Sequence, residues 1–163
     1  MNIELKGLKH LASMSEETPC FTATVWIDGK KAGSVKNSGH GGCNFYTPHD
    51  LQATLETYAQ TLPPLTISGT TIEQSADIVI GEAFDAYLRR RDLIKLLRGQ
   101  IVTIKDGKLY GQRLKGITDV MPILQHREKD IRKVLGIADD APIVNLMSFD
   151  EAMEVYRQTT SDQ

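Results

Sequence analysis

The chain has 163 residues, 40% of them hydrophobic and 25% charged, with 19 basic against 21 acidic side chains and a net charge of −2. That length buries an ordinary core without staples, and that composition excludes a disordered chain. The charge excludes affinity for nucleic acid by bulk charge alone, and no run approaches the ~18 apolar residues of a membrane span.

Met1-Asn2-Ile3-Glu4-Leu5-Lys6 lacks the basic start and apolar run of a signal peptide. Two cysteines, Cys20 and Cys43, make no disulfide framework, so both thiols are expected free and the expected compartment is the cytoplasm. Residues 3–11, with Ile3, Leu5, Leu8 and Leu11, read as an edge strand. Residues 20–27 alternate, with Phe21, Ala23, Val25 and Ile27 on one face and Thr22, Thr24 and Trp26 on the other. Asp28-Gly29 suits a tight hairpin turn, because both residues tolerate positive φ, and the return strand covers about 31–37.

Asn37-Ser38-Gly39-His40-Gly41-Gly42-Cys43-Asn44-Phe45-Tyr46 follows, with three glycines in four residues. A helix is expected next, with Thr47 as N-cap and Pro48 in its first position, running through Leu51, Leu55, Tyr58 and Leu62 to Pro63-Pro64. That Pro-Pro step is the one subdomain boundary the sequence suggests. A short strand is expected at 65–67. Thr71-Ile72-Glu73-Gln74 has the spacing of a capping box, so a long helix is expected from there to Arg98, stopped by Gly99. A second hairpin turns at Asp106-Gly107 between strands 101–104 and 109–114. A helix over 119–135 carries Pro122 in its first turn and Gly136 as its cap. Residues 143–147 read as a strand, and Ser148 with Glu151 as a capping box for a helix over 149–158. The expected fold is α+β: a small antiparallel sheet with hairpins at about 20–37 and 101–114, packed by about four helices, in one domain over 1–158 with a flexible tail at 159–163.

Several groups of residues carry candidate chemistry. Backbone N–H groups around glycines can form an anion-binding nest, and the expected helix start nearby adds positive potential. The loop is therefore a candidate ligand site built from Asn37, Gly39, His40, Gly41, Gly42, Asn44 and Tyr46, against the plainer reading of a bend in the sheet. It matches neither a P-loop nor a dinucleotide fingerprint. His40, Cys43 and His49, with Cys20 nearby, are residue types that bind zinc, but at no familiar spacing, and no metal is assigned. Cys43 with His40 or His49 as base is a candidate thiol nucleophile.

The charges are unevenly spread. Residues 1–82 hold 5 basic and 9 acidic side chains, residues 83–135 hold 13 and 6, and residues 136–163 hold 1 and 6. Within the basic middle, Arg90, Arg91, Lys95 and Arg98 form a candidate nucleic-acid surface, with Arg91, Lys95 and Arg98 on one helical face. The competing reading is that these cations answer the helix dipole and pair with Asp85 and Asp92. No aromatic residue is interleaved with them in sequence. Asp139-Asp140 and Asp150, Glu151 and Glu154 read as loop and solvated helix, and Trp26 as a packing residue.

The run Val25-Trp26-Ile27-Asp28-Gly29-Lys30-Lys31-Ala32-Gly33, continued by Asn37-Ser38-Gly39-His40-Gly41-Gly42 and Tyr46, resembles a class of short uncharacterised proteins of phages, prophages and plasmids. Their pattern is strand, Asn/Asp-Gly-Lys turn, strand and Asn-x-Gly-x-Gly-Gly-x-x-x-Tyr, then a helix ending in Leu-Pro-Pro, as in Leu62-Pro63-Pro64. Ser38 departs from the Asp expected at its position. The resemblance implies a mobile-element context and carries no activity or cofactor with it. The leading expectation is a non-enzymatic binding protein, an accessory or host-defence-counteracting factor whose partner is a host protein or a phosphate-bearing small molecule. The alternatives are a nucleic-acid-binding protein using the basic helix and a small cysteine enzyme. No membrane partner is expected, and pairing of edge strands into a homodimer is a further expectation.

Overall fold

The computed structural model describes residues 1–160. The chain divides within one long helix into two units, Met1–Tyr87 and Leu88–Gln163. Pro63-Pro64 is not the boundary; it lies inside the first unit. Helices and antiparallel sheets are segregated along the chain, giving an α+β fold.

In unit 1, β1 (Ile3–His10), β2 (Phe21–Ile27), β3 (Lys30–Asn37) and β4 (Phe45–Thr47) form an antiparallel sheet in that spatial order. Phe21, Ala23 and Val25 are buried, as alternation requires of a strand with one covered face. Asp28 and Gly29 take φ of 48° and 76°, and the hairpin closes on them. Trp26 lies under the ammonium of Lys6, 3.9 Å from its ring centre. Helix α1 (His49–Ala59) buries Leu51, Leu55 and Ala59. A Cβ on Gly33 would stand 2.3 Å from the Thr47 carbonyl oxygen and 2.8 Å from Leu51 Cδ2, so glycine is what lets β4 and α1 approach β3.

Three boundaries differ from the sequence reading. Thr47 pairs with Ser34 in β4 and is not the cap; Pro48 occupies the N-cap position, and α1 ends at Ala59, short of Leu62. Residues 70–72 are not the start of a helix. They form β6 (Thr70–Ile72), which pairs with β5 (Leu65–Ile67) across a turn at Ser68 and Gly69, with φ of 50° and 81°. Helix α2 (Ala76–Gly99) begins after them, where Ser75 Oγ accepts from the Ile78 N–H (3.3 Å) and the Glu56 carboxylate accepts from the Ala76 N–H (2.7 Å). Its first half packs on the sheet through Phe84, 4.8 Å from Phe21 and edge-on to His10 at 5.2 Å between ring centres.

Unit 2 holds the rest of α2, the hairpin of β7 (Ile101–Lys105) and β8 (Lys108–Gln112), α3 (Met121–Leu135) and α4 (Phe149–Thr160). Strand β7 is buried on both faces: Ile101 joins Val120, Leu124, Ile131 and Ile143, while Val102 joins Leu93, Val144 and Ala152. Pro122 sits in the first turn of α3, and Gly136 caps it with φ of 65°. Residues 144–146 form a short 3-10 turn where a strand was expected, and only Ile143 makes a bridge, to Thr103. Asn145 explains the departure. Its buried amide donates to the Leu97 (2.7 Å) and Gln100 (2.9 Å) carbonyls and accepts from the Val102 N–H (2.8 Å). It satisfies the end of α2 and the start of β7 at once. Arg132 does similar work after α3, donating to the Ala138 and Ala141 carbonyls at 2.8 and 2.9 Å.

Ser148 and Glu151 form the reciprocal cap of α4, the Glu151 N–H donating to Ser148 Oγ (3.3 Å) and the Ser148 N–H to the Glu151 carboxylate (2.9 Å). The Ser148 hydroxyl also donates to the Glu151 carboxylate (2.7 Å), and that bond, with the one from the Ser148 N–H, holds the Glu151 carboxyl below its ordinary value. The expected tail begins too early, because Thr159 and Thr160 are helical; residues 161–163 lie outside the described residues. Among the described residues no helix is long and apolar enough to cross a membrane.

Candidate functional site

The glycine loop joins β3 to β4, and its chemistry is turned largely inward. Gly39, Gly41 and Gly42 take φ of 90°, 86° and 87°, the left-handed region that glycine enters without strain. Asn37, at the end of β3, is 7% exposed. Its Oδ1 accepts from the Gly39 N–H (2.9 Å) and Thr18 Oγ1 (2.8 Å), and its Nδ2 donates to Asn44 Oδ1 (3.1 Å) and the Gly42 carbonyl (3.4 Å). The Gly41 N–H donates to Thr18 Oγ1 at 3.2 Å. The Gly39 carbonyl accepts from Glu16, Glu17 and Thr18 at 2.9, 3.2 and 3.4 Å. Asp77, in the first turn of α2, collects the other end: its Oδ1 accepts from Tyr46 OH (2.6 Å), Asn44 Nδ2 (2.9 Å) and the Asn44 N–H (3.2 Å).

The seven predicted loop residues are thus brought together, but mostly to satisfy one another. Two of the amides expected to greet an anion, those of Gly39 and Gly41, are occupied. His40 is exposed and pairs through Nδ1 with the Glu16 carboxylate at 3.1 Å. Glu16, Glu17 and Asp77 surround the loop with carboxylates, a field that opposes a phosphate.

Burial, together with the hydrogen bond that the Tyr46 hydroxyl donates to the Asp77 carboxylate, pushes that hydroxyl well above the usual phenol range. The same carboxylate, as hydrogen-bond partner and negative charge, pushes the Cys43 thiol up. Cys43 is exposed and Cys20 buried, and both are free. A raised thiol pKa disfavours the thiolate that nucleophilic chemistry needs. Among the described residues no three His, Cys, Asp or Glu side chains are grouped to hold a metal ion.

The second half of α2 presents the opposite arrangement. Arg91, Lys95 and Arg98, spaced i, i+4 and i+7, line one open cavity of about 780 Å³ in unit 2. Arg113, just beyond β8, and Tyr156 of α4 line it too. Arg91 is paired with its neighbour Asp92 (3.0 Å) and Arg98 with Asp119 (3.3 Å), in both cases with exposed guanidinium groups. Lys95 and Arg113 make no ion pair among the described residues. The walls are not only cationic: Ile94, 47% exposed, stands among them, and Ile117 lines the same cavity. Arg90 leaves this group, its guanidinium lying 4.4 Å over the ring of Phe149.

Sequence reasoning missed Asp77 and Thr18 around the loop and Arg113 and Tyr156 around the groove. Asp77 carries a weak local signal, an acid in a helical first turn, and Arg113 falls in the basic middle of the chain. Thr18 and Tyr156 carry none, because their partners are distant in sequence. Comparison with family models, curated proteins and solved structures finds no match to this chain.

Proposed function

We propose that this chain is a non-enzymatic nucleic-acid-binding protein that holds phosphates in the groove on the second half of α2. One observation carries the reading: four cations from two separate segments, Arg91, Lys95, Arg98 and Arg113, line one cavity, and two of them have no acidic partner among the described residues. Cations that only answered a helix dipole would need neither a shared cavity nor a contribution from beyond β8. Phosphate backbones bind to such surfaces with release of counterions. The resemblance to proteins of phages and plasmids supports an accessory role in a mobile element.

Fluorescence anisotropy with a labelled oligonucleotide tests this. Lys95→Glu combined with Arg113→Glu weakens binding at least about tenfold at low salt, and each lost phosphate contact flattens the plot of log affinity against log salt by about 0.7 for a single strand. A flat titration of the unaltered protein at low salt overturns the proposal.

The second reading is capture of a small phosphate-bearing ligand or a host protein by the glycine loop. What favours it is Gly42, whose α-carbon faces open space, beside the exposed His40. The inward bonding of Gly39 and Gly41 and the acidic surroundings weigh against it.

A further inference from the structure

We infer that the groove takes single-stranded nucleic acid, with bases stacked on Tyr156 and Tyr110. This rests on the groove reading above and specifies its ligand. A second cavity of unit 2, about 680 Å³, is lined by Leu96, Lys108, Tyr110 and Tyr156 among others. Leu96 and Tyr156 also line the cationic groove, so the two hollows meet at these side chains. A ligand following them passes from Arg91, Lys95, Arg98 and Arg113 over Tyr156 to Tyr110 at the β7–β8 hairpin. Tyr110 is 47% exposed.

The aromatic residues absent from the basic helix in sequence are thus supplied by β8 and α4. A surface reading only duplex phosphates has no use for a half-buried tyrosine and an exposed isoleucine beside its cations. A single strand has unstacked bases, and every base has a face that an aromatic ring can cover. Ile94 gives the same track an apolar wall in the groove.

The test compares three labelled or competing probes with the full chain: a 20-nucleotide thymidine homopolymer, a 20-base-pair duplex, and inorganic polyphosphate. The single strand is expected to bind at least about tenfold more tightly than the duplex. Tyr110→Ala is expected to weaken the single strand at least about fivefold, as loss of one stacked base does, and to leave polyphosphate binding unchanged. Tyr110→Phe restores the affinity. Tyr110 is the residue to alter first, since Tyr156 also packs against the core around Leu93 and Val102. Equal binding of strand and duplex, with Tyr110→Ala silent while Lys95→Glu/Arg113→Glu weakens both, overturns the stacking inference and leaves the phosphate groove standing. Binding of no probe, or binding indifferent to the charge reversals, overturns both.

Discussion

The glycine loop of unit 1 and the basic groove of unit 2 look equally rich in binding chemistry when read as strings of residues. They differ in what the fold leaves unspent. In the loop, Asn37, Asn44, Tyr46 and two glycine amides find partners within the loop, at Thr18 and at Asp77. In the groove, Lys95 and Arg113 find none among the described residues. A buried polar group must be satisfied, and neighbours in sequence can satisfy one another cheaply. Like-charged side chains cannot satisfy one another: Arg91 and Arg98 turn to Asp92 and Asp119, and Lys95 and Arg113 are left without an acidic partner among the described residues.

The sharpest way to break this comparison is at Gly39. A Cβ there would meet the Met14 carbonyl oxygen at 2.1 Å and Cys20 Cβ at 2.8 Å, at a φ of 90°. Gly39→Ala is expected to destabilise unit 1 by about 3 kcal/mol or more, read by urea unfolding. Gly42→Ala meets nothing within 4 Å and should cost only the left-handed strain, about 1–2 kcal/mol. If the two cost the same, the loop is not built inward as described.

Charge reversal in the groove should do the reverse. Lys95→Glu and Arg113→Glu alter exposed side chains without ion partners among the described residues, so stability should change by less than about 0.5 kcal/mol while affinity falls. Thermal unfolding beside the binding titration separates the two effects. The smallest expected effect concerns Cys43. Its thiol pKa is raised, so at neutral pH less of it is thiolate than in an ordinary exposed cysteine, and labelling by iodoacetamide should be slower. Asp77→Asn removes the charge but keeps an acceptor for Tyr46 and Asn44. It should lower that pKa and speed labelling a few-fold; unchanged labelling would count against Asp77 as the cause.

The parts of the fold legible in the sequence are those decided locally. Alternation marked the buried face of β2, Asp28-Gly29 and Asp106-Gly107 marked the β2–β3 and β7–β8 hairpins, and Gly136 and Ser148 with Glu151 marked helix ends. Where a distant group intervenes, the local signal loses. Thr71 and Gln74 have capping-box spacing, yet the pairing of Leu65 with Ile72 holds that segment extended, and Glu56 and Ser75 supply the cap further on. Residues 143–147 look β-like, but the Asn145 amide bonds to the helix end and the β7 start instead of to a neighbouring strand. The candidate sites divide the same way: i, i+4, i+7 spacing gathers Arg91, Lys95 and Arg98, whereas Arg113 and Tyr156 join them only through tertiary structure.

Asn145 has a consequence for synthesis as well as for stability. It secures the carbonyls that end α2, yet it is made some 45 residues after Gln100, and Tyr156 later still. A chain emerging from the ribosome therefore displays Arg91, Lys95 and Arg98 well before the groove they line can exist. On the proposed reading, a nucleic acid would meet the nascent protein first as an unshaped basic segment, and the full groove arrives only with the final helix.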